Sequence, residues 1–281
     1  MKSHLADIDI SEALVRKFDN SGPRYTSYPT ADRFHAGFTA ETYQTYLDER
    51  AGRPENPPLS IYVHLPFCES LCYFCACNKI ITKDHARVAE YLRYLDKEMA
   101  LVAQRLGKDR KTVQLHLGGG TPTFFNADEL RQLMAMLRSH FTFTDDAELG
   151  VEIDPRTVQA GTLSLLAELG FNRNSFGVQD FDPDVQQAVN RIQPLEMVEQ
   201  AVVESRKFNF HSINADLIYG LPKQTLASFS RTLDDLIRVS PDRIALYNYA
   251  HLPKRFKAQR LIVAIDLPSA EERLQIFLMS M

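Results

Sequence analysis

Residues 60–78 read SIYVHLPFCESLCYFCACN, and the rest of the chain is organised around them. The run SIYVHLP is a short apolar strand that delivers the loop behind it. That loop holds Cys68, Cys72, Cys75 and Cys77, the only cysteines among 281 residues. Thiolates are soft ligands that suit iron–sulfur clusters and zinc. The C-x3-C-x2-C spacing, with Cys77 close behind, fits neither the paired C-x-x-C arms of a zinc ribbon nor a lone redox C-x-x-C. It also lacks the proline that closes the bacterial ferredoxin run. Cysteines gathered so tightly, with none elsewhere, are not ordinary buried thiols. Two metal readings stay open. One is a cluster held by a single loop. The other is a small structural zinc site, although tetrahedral zinc normally draws its ligands from two loops.

Downstream, helix and strand signals alternate. Residues 85–106 place Val88, Leu92, Leu95 and Met99 at helical spacing. TVQLHLGGG (112–120) is a strand ending in glycines. Asn126 and Glu129 form a capping box for a helix carrying Leu130, Leu133 and Leu137. AELGVEID (147–154) is the third strand, and the helix with Leu163, Leu166 and Leu169 ends at Gly170, a C-terminal cap. NRNSFGVQDF (172–181), HSINADLIYG (211–220) and DRIALYNYAHLP (242–253) are the remaining strands, with helices over 195–208 and 225–239. No internal repeat stands out at the level of residue identity. Strands alternating with helices imply an α/β fold with a parallel sheet and right-handed crossovers. An open sheet and a curved partial barrel both fit, and both put their sites at the carboxyl ends of strands. The unusual residues fall there: the cysteines, Gly118-Gly119-Gly120-Thr121-Pro122, Glu152 and Asp154, Gln179 and Asp180, Asp216, and Tyr249-Ala250-His251. Asn174 is out of character. It stands where an apolar strand residue belongs, and a buried unpaired amide costs about 1–3 kcal/mol.

Upstream, residues 1–20 read as a short amphipathic helix with Leu14, Val15 and Phe18 on one side. SGPRYTSYPTADRF (21–34) is extended, because Pro23 and Pro29 forbid helix. Residues 41–49 suit one helix, and AGRPENPP (51–58) is a break. The expected organisation is an N-terminal helix and arm over 1–58, a core over 59–253, and the start of a further region over 254–281. Apolar residues make up 44% and charged residues 24%, the proportions of a globular protein. A net charge of −4 argues against bulk nucleic-acid binding. No apolar run reaches membrane-spanning length, and the N-terminus has no apolar h-region of a secretory signal. With no cysteines left for a disulfide framework, a reducing cytoplasm is the expected compartment.

The strand-end residues have chemical uses and plain alternatives. GGGTP lets backbone approach a ligand closely, since glycine has no Cβ. It lacks the Gly-Lys-Ser/Thr ending of a P-loop and the G-x-G-x-x-G spacing, and a simple tight turn is its structural alternative. Glu152 can accept from hydroxyls or pair with a cation, or merely cap the helix after Pro155. Arg191 can pair with a ligand carboxylate, or be a solvated surface arginine. His64 reads as a satisfied core histidine.

Taken together, the motifs identify a family. The chain resembles the oxygen-independent coproporphyrinogen III oxidases (coproporphyrinogen dehydrogenases), radical S-adenosylmethionine (SAM) enzymes of haem biosynthesis. The match runs through PRYTSYPTA at 23–31, IYVHLPFCESLCYFCACNK at 61–79, HLGGGTPT at 116–123 and VEIDPR at 151–156. It continues through SFGVQDF at 175–181, Asn190-Arg191, DLIYGLPKQT at 216–225 and YNYAHLP at 247–253. The triad alone points to the superfamily; Cys77 and the RYTSYPT arm narrow it to this family. The resemblance implies a partial (β/α)6 barrel with an extended N-terminal arm. It implies a [4Fe–4S] cluster on Cys68, Cys72 and Cys75, with the fourth iron left to SAM. Cys77 is then not a cluster ligand. The resemblance gives Cys77 and Tyr25 parts in catalysis, with Arg24 and Tyr25 on an arm near the substrate. Tyr62, Phe74, Gly119, Gly120, Thr121, Glu152, Gln179, Arg191, Asp216 and Ala250 match positions that contact SAM, of which the family's site holds two molecules. The implied reaction converts two propionates of coproporphyrinogen III to vinyl groups, giving protoporphyrinogen IX. The reduced cluster splits SAM, and the resulting radical takes hydrogen from the propionate carbon next to the ring. Loss of CO2 and a further electron follows. An unidentified reductant supplies electrons, and the chain is expected to be a monomer.

Family members continue beyond position 281 with a last β-segment and a helical C-terminal domain. Ser269 and Glu272 form a capping box, so a helix begins there. A chain ending here is expected to cleave SAM without turning over the macrocycle, and to expose apolar surface near Phe277 and Leu278. Two other classes compete. A haem-binding chaperone homologue without oxidase activity is expected to lack Cys77 and the RYTSYPT arm, both present here. A pure electron carrier would need Cys77 as a fourth ligand and leaves GGGTP and Glu152 unexplained.

Overall fold

A computed structural model describes residues 11–18, 29–30, 33–108 and 110–281. The arm residues Arg24 and Tyr25 lie outside the described residues. Helices α1 (Glu12–Phe18) and α2 (Ala40–Ala51) precede the core. There follow β1 (Leu59–Leu65), the short β2 (Phe67–Cys68) and β3 (Ile80–Ile81), and α3 (Ala86–Leu106). Next come β4 (Lys111–Gly119), α4 (Ala127–His140), β5 (Thr142–Ile153), α5 (Thr162–Glu168) and β6 (Arg173–Gln179). The chain continues with α6 (Pro183–Ala188), α7 (Leu195–Lys207), β7 (Ser212–Tyr219), α8 (Leu226–Val239), β8 (Arg243–Asn248) and α9 (Ala270–Ser280).

The main sheet has six strands in the order β1-β4-β5-β6-β7-β8. Every ladder is parallel. Since β1 and β8 stand at opposite ends of that order, the sheet is a partial barrel. One cavity of about 460 Å³ is lined from Ser60 on β1 to Tyr247 on β8, so the sheet curls around it.

Period-two alternation decides which way each strand faces. Val63, Leu65, Leu115, Leu117, Val151 and Ile153 point outward and are buried. The helices cover them with Val88 and Leu92 of α3, Leu133 and Leu137 of α4, Leu163 and Leu166 of α5, Val198 of α7 and Phe229 of α8. Each such side chain contributes about 1.5–3 kcal/mol by leaving water. The intervening residues, among them Gln114, His116, Glu152, Ser175 and Asp216, face the cavity.

Local signals behave as the sequence predicts. Asn126 Oδ1 accepts from the Glu129 N–H at 3.0 Å while Glu129 Oε2 accepts from the Asn126 N–H at 2.8 Å. The same reciprocal box opens α9 at Ser269 and Glu272. Gly170 takes φ of +97° behind α5. Two expectations need adjusting. Asn174 is buried as foreseen, but its Nδ2 donates to Ser205 Oγ at 2.9 Å, leaving only Oδ1 unpartnered. Apolar surface is exposed near Phe277 and Leu278 as expected, but Met279 and Met281 carry it; Phe277 and Leu278 are themselves half-buried, and Phe277 stacks on Tyr219 with centroids 5.6 Å apart. Among the described residues no helix is long and apolar enough to cross a membrane.

Candidate active site

The cysteine loop is pinned at both ends. β2 pairs with β3, matching Phe67 to Ile80 and Cys68 to Ile81. In between, the Tyr73 N–H donates to the Val189 carbonyl at 3.0 Å, and Asn190 Nδ2 donates to the Leu71 carbonyl at 2.8 Å. The loop is therefore sewn to the segment that carries Arg191. Cys72 is buried, Cys68 and Cys75 are half-buried, and Cys77 is exposed.

Each triad sulfur has its own polar neighbour. Thr121 Oγ1 donates to Cys68 Sγ at 3.3 Å. Arg156 Nη2 and Arg191 Nη1 approach Cys72 Sγ at 3.4 and 3.5 Å. Lys79 Nζ donates to the carbonyls of Cys75 and Cys77 at 3.1 and 3.4 Å; the neighbouring Cys77 and Lys79 hold the Cys75 thiol below its ordinary range, while Cys75 and burial push Cys77 up. Burial pushes Cys68 up. Among the described residues no three His, Cys, Asp or Glu side chains converge where one metal ion could sit.

The glycine turn lies against this loop because only glycine fits. A Cβ on Gly120 would stand 2.7 Å from the backbone of Pro66 and Phe67. The turn extends the sheet pairing onto the loop: the Gly120 N–H donates to Leu65 O at 2.8 Å and the Thr121 N–H to Phe67 O at 2.9 Å. A Cβ on Gly118 would stand 2.8 Å from Glu152 Oε1, so the turn is also shaped around that carboxylate. Glu152 Oε2 accepts from the Gly119 N–H at 3.1 Å, and Oε1 lies 3.3 Å from His116 Nε2. The turn after Pro155 is capped by Asp154, whose Oδ1 accepts from the Arg156 N–H at 3.1 Å. Glu152 is thus free of the capping role and faces the cavity.

Beside it, Tyr62 lies flat on the His116 ring, with centroids 6.0 Å apart and planes at 15°. His64 Nε2 faces the Asn78 carbonyl at 2.8 Å, so it carries the proton and Nδ1 accepts from the Tyr62 hydroxyl at 3.0 Å. His64 is a satisfied structural histidine, as its sequence context suggests.

Arg191 is only 7% exposed, which excludes a solvated arginine. Its Nη1 donates to Asp154 Oδ2 at 3.1 Å and its Nη2 to the Gly177 carbonyl at 2.6 Å, while Nε has no partner. Burial works to raise the Asp154 carboxyl, but Arg191 and Arg156 outweigh it and hold it below the usual carboxylate range. Gln186 and Gln193, both buried, lock the 180–193 segment: Gln186 Nε2 donates to Gln193 O at 2.8 Å and Gln193 Nε2 to Val178 O at 2.6 Å.

At the far strands, Gln179 has φ of +69°, an uncommon conformation for a side-chain-bearing residue and one that clusters at functional sites. Asp216 is held by Ser175 Oγ at 2.9 Å and Asn214 Nδ2 at 2.9 Å, and burial pushes its carboxyl up. Gln259 Nε2 donates to the carbonyls of Phe74 and Ala250, each at 3.1 Å, and so joins the cysteine loop to the end of β8. Gln259 has no sequence signal, because its partners are remote in the chain. One missed signal was visible. YVHLP at 62–66 returns as YAHLP at 249–253, and Tyr249 OH meets His251 Nδ1 at 2.9 Å as Tyr62 meets His64.

The model of the radical SAM superfamily matches residues 62–236. The chain belongs to the radical SAM superfamily. Within that superfamily it is 52% identical over 265 residues to the oxygen-independent coproporphyrinogen III oxidase of Pseudomonas aeruginosa, covering 94% of this chain and 57% of that protein. It is 48% identical over 269 residues to the protein of that name from Escherichia coli, covering 96% and 58%. The solved structure of the Escherichia coli coproporphyrinogen III oxidase, a radical SAM enzyme, superimposes with a TM-score of 0.88 at 43% identity, over 96% of this chain and 59% of that one. The chain therefore spans a little under three-fifths of the length of these relatives.

Proposed function

We propose that the chain holds a [4Fe–4S] cluster on Cys68, Cys72 and Cys75, binds SAM, and serves the oxidative decarboxylation of coproporphyrinogen III to protoporphyrinogen IX in haem biosynthesis. What carries this proposal is the placement of three separately supported thiols on one loop that is pinned to the glycine turn after β4 and to the segment carrying Arg191. The identity to oxygen-independent coproporphyrinogen III oxidases across 94% of the chain supports the substrate. The donor set fits the cluster. Thiolates must be anionic to ligate, and Cys72 faces two guanidinium nitrogens while Cys68 accepts from a hydroxyl. Tetrahedral zinc normally draws its ligands from two loops, whereas these thiols share one. Cys77 is exposed and lies outside the C-x3-C-x2-C triad, so the proposal leaves the fourth iron to SAM rather than to a fourth thiolate.

When bound, the reduced cluster and SAM supply the radical that abstracts hydrogen. The protein's part is to bind, orient and screen. Gly119 and Gly120 let a ligand approach the backbone beside the cysteines. Glu152, turned into the cavity by the Gly119 N–H, is an acceptor for the ribose hydroxyls or the cation of SAM. Asp216, fixed by Ser175 and Asn214, is a second carboxylate acceptor on the cavity wall, two strands from Glu152. The unpartnered Nε of Arg191 is a buried donor for a ligand carboxylate. Tyr62, Phe74, Thr121, Gln179 and Ala250 complete the proposed SAM contacts, with room for two molecules as one element of the proposal. Tyr25 and Cys77 are the proposed catalytic groups near the macrocycle. We place the reaction in the cytoplasm, in a monomer fed by a one-electron reductant.

Anaerobic assay of the iron- and sulfide-reconstituted chain with dithionite and SAM tests the proposal. Methionine and 5′-deoxyadenosine are expected products, and adding coproporphyrinogen III tests the substrate through protoporphyrinogen IX. A chain that holds the cluster but leaves SAM intact would sink the catalytic reading in favour of electron carriage.

A further inference from the structure

Beneath the cysteine loop lies a buried group of charges, Asp154, Arg156 and Arg191, of which Arg191 alone is a proposed SAM contact. Asp154 accepts from Arg156 Nη2 at 2.6 Å and from Arg191 Nη1 at 3.1 Å through the same oxygen, Oδ2. The side chains are 9%, 18% and 8% exposed for Asp154, Arg156 and Arg191. Both arginines also reach Cys72 Sγ, at 3.4 and 3.5 Å, and Cys72 is itself 8% exposed. Arg156 is the better anchored of the two. Its Nε and Nη2 fork onto Asp154 at 3.0 and 2.6 Å while Nη2 also faces the sulfur. Two cations and one anion leave a net charge of +1 against one cluster sulfur in a largely dry setting.

We infer that Arg156 is a positioning and tuning residue for the cluster, raising its reduction potential through the hydrogen bond to Cys72 Sγ, with Asp154 as the counterweight that sets how strongly it does so. This rests on the cluster assignment proposed above. Reduction adds an electron to a cluster that is already anionic with its thiolates. A donor at a ligating sulfur and a nearby positive charge both favour that added charge, and cluster potentials respond to net charge, hydrogen bonds to sulfur and solvent exposure. Low dielectric strengthens the effect, since neither group is well hydrated. The triad therefore has a directional signature. Losing Arg156 takes the local charge from +1 to 0, whereas neutralising Asp154 takes it to +2. The two changes push the potential in opposite directions. A merely structural triad would behave otherwise: loosening it from either side would expose the cluster and move both variants the same way.

The experiment compares the full chain with Arg156→Gln and Asp154→Asn, each reconstituted with iron and sulfide, without SAM. Iron and acid-labile sulfide give cluster content, and redox titration followed by EPR gives the midpoint potential. We expect Arg156→Gln to be about tenfold less reduced at the wild-type midpoint, which is a fall of about 59 mV for a one-electron couple, and Asp154→Asn to shift upward. Should Arg156→Gln hold no cluster, the direction of the Asp154→Asn shift decides. An unchanged or lowered potential in Asp154→Asn, or an unchanged one in cluster-bearing Arg156→Gln, overturns the inference. A wild-type chain that takes up no cluster overturns the assignment on which it rests, and the inference with it.

Discussion

Replacing Glu152 by Ala separates a ligand contact from a structural prop. In the folded protein the carboxylate accepts from the Gly119 N–H at 3.1 Å and lies 3.3 Å from His116 Nε2. Its side chain is 43% exposed, so water can replace both partners when it is removed. The stability loss should stay within the ordinary net worth of one hydrogen bond, about 0.5–1.5 kcal/mol. In a chain of this size that lowers Tm by roughly 2–4 °C per kcal/mol. Binding is another matter, because a hydrogen bond to a charged group is worth about 1.5–3 kcal/mol. At about 1.4 kcal/mol per tenfold, Glu152→Ala should raise the SAM Kd by roughly 10- to 100-fold. The half-open setting favours the lower end. Glu152→Gln keeps an acceptor for Gly119 and should fall between the two if charge contributes. Equilibrium dialysis of SAM against anaerobic, cluster-bearing protein gives Kd, with iron and sulfide content as the control. Unaltered SAM affinity at full cluster content would refute the assignment and leave Glu152 as a brace for the glycine turn.

Three further outcomes follow from the geometry. Serine at Cys68, Cys72 or Cys75 should abolish the reconstituted cluster's absorbance, whereas Cys77→Ser should retain it; the reverse pattern for Cys75 and Cys77 would overturn the ligand set. Gly120→Ala puts a methyl 2.7 Å from rigid backbone at Pro66 and Phe67, so the turn must move off the cysteine loop; cluster content and thermal stability should both fall, and a variant with neither change would show that the turn is slack. Burial raises the carboxyl of Asp180, so the folded state keeps its proton to higher pH than the unfolded chain does. Its contribution is complete below the ordinary carboxylate range and is lost as pH rises through the folded value. Asp180→Asn should therefore flatten the pH dependence of urea unfolding on the alkaline side of the ordinary carboxylate range, and parallel curves for the two proteins would contradict this.

What was legible in the sequence was local or periodic. The Asn126–Glu129 and Ser269–Glu272 boxes are spaced by helix geometry, and Gly170 marks a cap that needs positive φ. The two-residue strands β2 and β3 and the short α6 escape notice because so few residues carry no period. β5 begins at Thr142, earlier than its apolar stretch, because Thr142 and Phe143 pair with Lys111 and Thr112 of β4. Side-chain roles were legible only to the type of residue. Glu152 and Asp154 sit two apart on one strand end, and sequence does not say which caps the turn and which enters the cavity. Arg191 reads as a surface residue because its burial depends on Asp154 and on the glutamines of its own segment. Gln259 draws its meaning from Phe74 and Ala250, which only the fold brings near it.

The strands that form the fold and those that form the site carry the same pattern. Parallel strands covered on both faces usually read as near-continuous apolar runs. Here Gln114, His116 and Gly118 alternate with Leu115 and Leu117, and Ser175 and Gly177 alternate with Phe176 and Val178. The apolar set pays for the fold by taking the helices. The inward set cannot be packed dry, because each unpartnered polar group would cost several tenths to a few kcal/mol. A closed eight-stranded barrel fills its centre with layers of branched apolar side chains. A six-stranded sheet with a polar inner face has no such filling, and its centre stays open at about 460 Å³. Strand alternation thus specifies a cavity as well as a sheet. Inward residues, Glu152 near the end of β5 and Asp216 within β7 among them, are placed on the cavity wall by the same periodicity that buries their neighbours. The cysteine loop is tied to the turn after β4 through Gly120 and Thr121, and that same turn holds Glu152 of the cavity wall through the Gly119 N–H.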